Sequence, residues 1–116
     1  MGKFLIKVTY TSGSWARLIS RPDDRILAVR GLMEHVGGSL EQLYWMLSDK
    51  VTAVSIADLP DTVTAAAVIT TGVGTGAFMS GEAHELLTQH QLSDALMLAR
   101  AGREVYSAPG SSAVAP

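Results

Sequence analysis

Residues 39–57 read SLEQLYWMLSDKVTAVSIA. In an extended chain Leu43, Trp45 and Leu47 fall on one face of the first half, and Tyr44 and Met46 on the other. Residues 51–57 alternate β-branched and small side chains, again a strand pattern. Ser48-Asp49-Lys50 supplies the turn between them, so the stretch reads as a hairpin. Its first strand is apolar on both faces. A sheet covered by helices on one side carries polar residues on the other, and an exposed Trp and Leu patch is a liability in a monomer. The pattern therefore predicts a second copy of the chain over the uncovered face, with Leu43, Trp45 and Leu47 as interface residues. On that reading Trp45→Asp breaks the assembly or the fold. Parity alone does not say which face is which.

Toward the N-terminus, residues 3–10 (KFLIKVTY) alternate as a strand, with Phe4, Ile6, Val8 and Tyr10 on one face. Thr11-Ser12-Gly13-Ser14 is a capping loop, followed by a short helical piece from Trp15 to Ser20. Pro22 suits the first turn of a longer helix, where Asp23 and Asp24 complement the positive end. Ile26, Val29, Met33 and Val36 form its buried stripe, and Gly37-Gly38 stops it. Toward the C-terminus, Asp58-Leu59-Pro60-Asp61 reads as a turn with Asp61 as N-cap. A helix from Val63 to about Thr71 shows a mostly alanine inner face and ends in Gly72, Gly74 and Gly76. Residues 77–87 are a fourth strand, with Gly81 as a bulge or bend. Thr88 and Gln91 form a capping box for a last helix, which carries Leu92, Leu96 and Ala99 and closes at Gly102. The order is β-α-β-β-α-β with an added C-terminal helix. That is a ferredoxin-like α+β fold with a four-stranded antiparallel sheet. The domain spans residues 1–102, and residues 103–116, rich in Ala, Ser, Gly and Pro, form a mobile tail.

At 116 residues, 47% hydrophobic and 17% charged, the chain has the size and composition of one globular domain. Its net charge of −2 argues against a nucleic-acid partner. There is no cysteine, which removes disulfides, thiol nucleophiles and Cys-ligated metal centres. No apolar run reaches the roughly 18 residues of a membrane span or forms a signal-peptide core, so the expectation is a cytoplasmic protein without a membrane partner.

Several segments resemble the GYD-domain proteins. They are Ile56-Ala57-Asp58-Leu59-Pro60-Asp61, Val63-Thr64-Ala65-Ala66-Ala67, Thr75-Gly76-Ala77 and Leu86-Leu87-Thr88, together with the KFLIKVTYT strand, Val36-Gly37-Gly38 and Leu40 to Trp45. The resemblance covers about residues 3–101. It implies a dimeric α+β barrel, in which two such sheets pack face to face. The Gly-Tyr-Asp turn that names the family reads Ser48-Asp49-Lys50 here, and Gln89-His90-Gln91 follows Leu86-Leu87-Thr88. In this superfamily small ligands often occupy the cleft between helices and sheet, and the candidate ligand-binding residues are Tyr10, Trp15, Tyr44 and His84.

Glu82 and His84 lie two apart on a strand and share a face, where they offer two metal ligands or an acid–base pair. No third ligand is evident, and a polar edge-strand surface is the favoured reading, so neither a metal nor a cofactor is expected. His90 sits in a first helical turn as a solvated group, and His35 near a helix end, where the dipole favours it. Gly72-Val73-Gly74-Thr75-Gly76 follows a helix rather than opening one, so it is no phosphate loop. Three functions fit. One is a homo-oligomeric small-molecule binder. The second is a cofactor-free enzyme of oxygenase, isomerase or cyclase type, by superfamily analogy. The third is a structural assembly protein without a ligand.

Overall fold

The computed structural model describes residues 1–48 and 51–111. The chain divides into two compact units, residues 1–86 and residues 87–116. In the first, the elements run β1 (Gly2–Tyr10), α1 (Ser12–Ser20), α2 (Arg25–His35), β2 (Ser39–Met46), β3 (Thr52–Leu59), α3 (Thr62–Gly74) and β4 (Phe78–Leu86). The strands form one sheet in the order β2-β3-β1-β4, with every neighbouring pair antiparallel. This is the ferredoxin-like α+β arrangement expected from the sequence.

The core lies between the sheet and its helices. Phe4, Ile6, Val8 and Tyr10 of β1 are buried, and in register beside the first three stand Ala57, Ser55 and Ala53 of β3. Large side chains on the central strand thus alternate with small ones on its neighbour, and Met33, Ala65 and Val68 of the helices close the layer above them. Buried Ser55 directs its hydroxyl to the Ile6 carbonyl at 3.5 Å.

Several boundaries differ from the sequence reading. α1 begins at Ser12, because the Thr11 side chain accepts a hydrogen bond from Ser14 N at 3.1 Å and caps it there. α2 begins at Arg25, with Asp24 as N-cap accepting from Ile26 N at 2.9 Å, so Pro22 and Asp23 stand in the connecting loop rather than in a first helical turn. On α2 only Met33 is buried, and Ile26 of the expected stripe is exposed. The helix does end at the two glycines. Gly37 turns the chain at φ +90°, and Gly38 N donates to Met33 O at 2.9 Å.

β3 continues through Asp58 to the buried Leu59, which the sequence reading placed in a turn, because its alternation persists to Leu59 opposite Gly2. Asp61 does cap α3, accepting from Thr64 N at 2.8 Å. That helix runs on to Gly74 and buries Ala65, Val68 and Gly72, while Ala66 and Ala67 face outward. The irregularity in β4 lies at Met79, where the β1 partner steps from Ser80 to Phe78, and not at Gly81. The expected hairpin turn falls largely on Asp49 and Lys50, outside the described residues, as do residues 112–116 of the expected tail.

The second unit holds α4 (Gln89–Gly102), opened by the expected capping box. Thr88 Oγ1 accepts from Gln91 N at 3.1 Å, and Gln91 Oε1 accepts from Thr88 N at 2.9 Å. No residue of α4 is buried. Among the described residues no helix is long and apolar enough to cross a membrane.

Candidate functional site

β1 ends in Tyr10, and three aromatic rings gather on it. Trp15 from α1 lies 5.4 Å away between centroids, Trp45 from β2 lies 5.5 Å away edge-on, and Phe78 from β4 lies 5.6 Å away in a stacked pose. Trp15 and Trp45 also meet, at 5.5 Å. All four separations fall in the range where aromatic pairs attract beyond their area burial. Four elements are therefore pinned at one end of the sheet.

The start of α1 is tied to the loop before β4. Thr11 N donates to Ala77 O at 3.0 Å, and the Thr11 hydroxyl donates to Gly76 O at 2.9 Å. Buried Ser14 donates its own hydroxyl to Ala77 O at 3.0 Å and accepts from the Arg17 guanidinium at 3.2 Å. α1 is thereby fixed in azimuth, and its Arg17, with the C-cap residue Arg21, borders a groove.

That groove has a volume of about 490 Å³ and is lined by Tyr10, Ser14, Arg17, Leu18, Arg21 and Arg25, among others. A second hollow of about 360 Å³ shares Leu18 and Arg25 with it and continues over Ile26, Leu43 and Trp45. Volumes of this order suit small-molecule ligands. Arg25 organises the junction. Its Nε donates to the Tyr10 hydroxyl at 3.2 Å, its guanidinium carbon stands 5.7 Å from the Tyr10 ring centroid, and it pairs with Asp23 at 3.2 Å. Burial opposes its charge, but the hydrogen bonds to Tyr10 and Asp23 outweigh burial and hold its pKa above the ordinary guanidinium value.

The four candidate ligand-binding residues separate into two pairs. Tyr10 lines the groove, and Trp15 packs on its ring on the same helix-covered side without itself lining either hollow. Tyr44 and His84 lie on the opposite face of the sheet, on its two edge strands, three strand spacings across and two residues along, or about 16 Å apart. Of the three candidate interface residues, Leu43 and Trp45 share the helix-covered side, one against the core and the other in the aromatic cluster. Leu47 lies beyond the end of β2 and is 83% exposed.

The sequence reading did not single out Arg17, Arg21 and Arg25. Their spacing of four residues was the available signal. Gly72 likewise serves as a contact surface inside α3 rather than as a helix exit. A Cβ there would stand 2.0 Å from the Phe78 ring.

The sheet face opposite α1, α2 and α3 mixes apolar and charged side chains. Leu5, Val54 and Ile56 occupy its middle strands half-buried, while Tyr44 and Met46 on β2 are 62% and 43% exposed. Lys3 bonds Glu41 and approaches Asp58 at 3.7 Å, and the Glu41 hydrogen bond is the main reason its pKa is raised. Lys7 approaches Glu82 at 3.5 Å, and His84 meets the same carboxylate at 3.4 Å. Glu82 and His84 thus share a face as their spacing predicts. Among the described residues no three His, Asp or Glu side chains gather to hold a metal.

A family model described as the GYD domain matches residues 4–96. No curated protein matches the chain.

Proposed function

The chain belongs to the GYD-domain family, and on that premise we propose that it is a homo-oligomeric protein that binds a small molecule in the groove between α1, α2 and the sheet. The groove itself carries this reading. It joins the Tyr10 ring, with Trp45 in the adjoining hollow, to a few polar groups held by hydrogen bonds, the combination that small-molecule sites use. The oligomer rests on the sheet face opposite α1, α2 and α3. Exposed Tyr44 and Met46 continue the half-buried Leu5, Val54 and Ile56 into an apolar strip. Both charge signs flank that strip, which is compatible with the same patch meeting its own copy about a two-fold axis. Pairing through this face leaves the groove, on the opposite side of the sheet, open to solvent.

Native mass spectrometry on gently purified protein tests both halves together. A dimer or larger species with a discrete extra mass per subunit is the expected spectrum. A clean monomer overturns the assembly. For the face, Tyr44→Asp with Met46→Asp lowers the mass by light scattering, whereas Trp45→Phe, on the helix-covered side, leaves it unchanged. The reverse pattern moves the interface to the other side of the sheet.

A further inference from the structure

We infer that the groove selects an organic anion, a carboxylate on an apolar body, with Arg17 and Arg21 taking the charged head. This rests on the groove being a ligand site, and it names the chemistry of the ligand.

Three guanidinium groups line the larger hollow against one carboxylate, Asp23. Arg25 and Asp23 satisfy one another, and Arg25 is further held on Tyr10. Arg17 is aimed by Ser14, a neutral acceptor that leaves its charge uncompensated. Among the described residues, neither Arg17 nor Arg21 forms an ion pair with a carboxylate. The chain as a whole carries −2, so this excess of positive charge is a local concentration, not a share of a basic surface. A concave wall of low polarity focuses such a field toward an incoming anion.

Guanidinium forks match the two oxygens of a carboxylate in one plane, and two of them lining one hollow can hold one head group. Arg17 of α1 and Arg21, its C-cap residue, both line the larger hollow. Asp23 and Asp24 also line the second hollow, but Asp23 is paired with Arg25 and Asp24 accepts from the Ile26 N–H, and the rest of that lining supplies the apolar half. Beyond Leu18 the hollow passes Ile26, Leu43 and Trp45, so a head at the arginines directs its body over these side chains. A bare inorganic anion leaves that hollow unfilled, which is why the two adjoining hollows point to an amphipathic ligand.

The chain's two tryptophans, Trp15 and Trp45, both stand at the aromatic cluster beside the groove, so their fluorescence reports on it. The probes are phenylacetate, its neutral isostere phenylacetamide, and inorganic phosphate. Each is titrated to millimolar concentration by tryptophan fluorescence and by amide chemical shifts. Phenylacetate is expected to bind at least tenfold more tightly than phenylacetamide or phosphate, and to weaken as salt rises. Arg17→Gln and Arg21→Gln each weaken it about tenfold or more, while Arg30→Gln, on α2 away from the hollows, leaves it unchanged. Equal binding of acid and amide, untouched by Arg17→Gln and Arg21→Gln, keeps the groove as a ligand site and overturns the anion. Phosphate binding as tightly as phenylacetate overturns the apolar body. No response to any of the three overturns both the inference and the groove reading beneath it.

Discussion

The two flanks of the helical layer are built on opposite plans. Over β4, α3 presents Ala65, Val68 and Gly72, and the ring of Phe78 fills the space where a Gly72 side chain would stand. Gly81 of β4 admits Ile69 in the same way, since a Cβ there would meet it at 3.0 Å. Over β2 the connection between β1 and β2 is two helices with a loop, and its apolar contacts are large: Trp15, Leu18, Val29 and Leu32 around Met33, the one buried residue of α2. Small residues let a helix settle onto the strands and leave no room between. Bulky, half-buried ones hold it off, and the gap becomes the groove. The flank that packs best is therefore the one with no site.

That contrast can be broken in order of expected effect. Met33→Ala removes the only buried residue of α2 and costs about 3 kcal/mol in urea unfolding. A cost near zero would mean that α2 does not depend on that anchor. Gly72→Ala drives a methyl group into the Phe78 ring and costs about 2 kcal/mol. The ring cannot simply swing aside, because it stacks on Tyr10. Phe78→Leu in the same chain relieves part of the clash, with a coupling of at least about 1 kcal/mol in the double-mutant cycle. Strict additivity of the two changes would refute the close contact.

Thr11→Ala removes the cap of α1 and is expected to cost about 1 kcal/mol by thermal unfolding. It also widens the groove, since Thr11 ties α1 to Gly76, so amide exchange of residues 12–20 rises while that of α3 does not. A uniform rise across both helices would show that the flanks move as one.

The smallest effect concerns pH. Asp61 has its pKa lowered by the Thr64 backbone N–H first and the Thr64 hydroxyl second. A carboxylate with a lowered folded pKa adds stability that is fully present above the ordinary carboxylate range and is lost as pH falls through the lowered value. Asp61→Asn keeps an acceptor at the cap but does not titrate. Its stability deficit relative to the native chain is therefore largest at neutral pH and shrinks under acid. A deficit constant from neutral pH to below 3 would remove the charge from the account of this cap.

Much of this was legible in the residues themselves. β1 alternates because a half-buried strand must, and Thr88 with Gln91 announces a helix start wherever it stands. Gly72 shows the limit. A glycine near the end of an alanine-rich helix reads as an exit, and only the position of Phe78 turns it into a contact. The arginines show the same limit differently. Positions 17, 21 and 25 repeat at four, but the helix breaks after Ser20, so spacing alone placed neither Arg21 nor Arg25 beside Arg17.

The sequence by itself determined the element order, the strand types, the caps at Asp61 and Thr88, and the family, because these depend on local dihedral preference and on period. The tertiary structure alone decided which face of β2 the helices cover, that Tyr10 and Trp15 part company with Tyr44 and His84, and that three arginines meet beside one tyrosine. β2 is apolar on both sides, so its period carries no sign. The sign is set when α1 and α2 fold back across the sheet and the aromatic rings of four separate elements close on Tyr10.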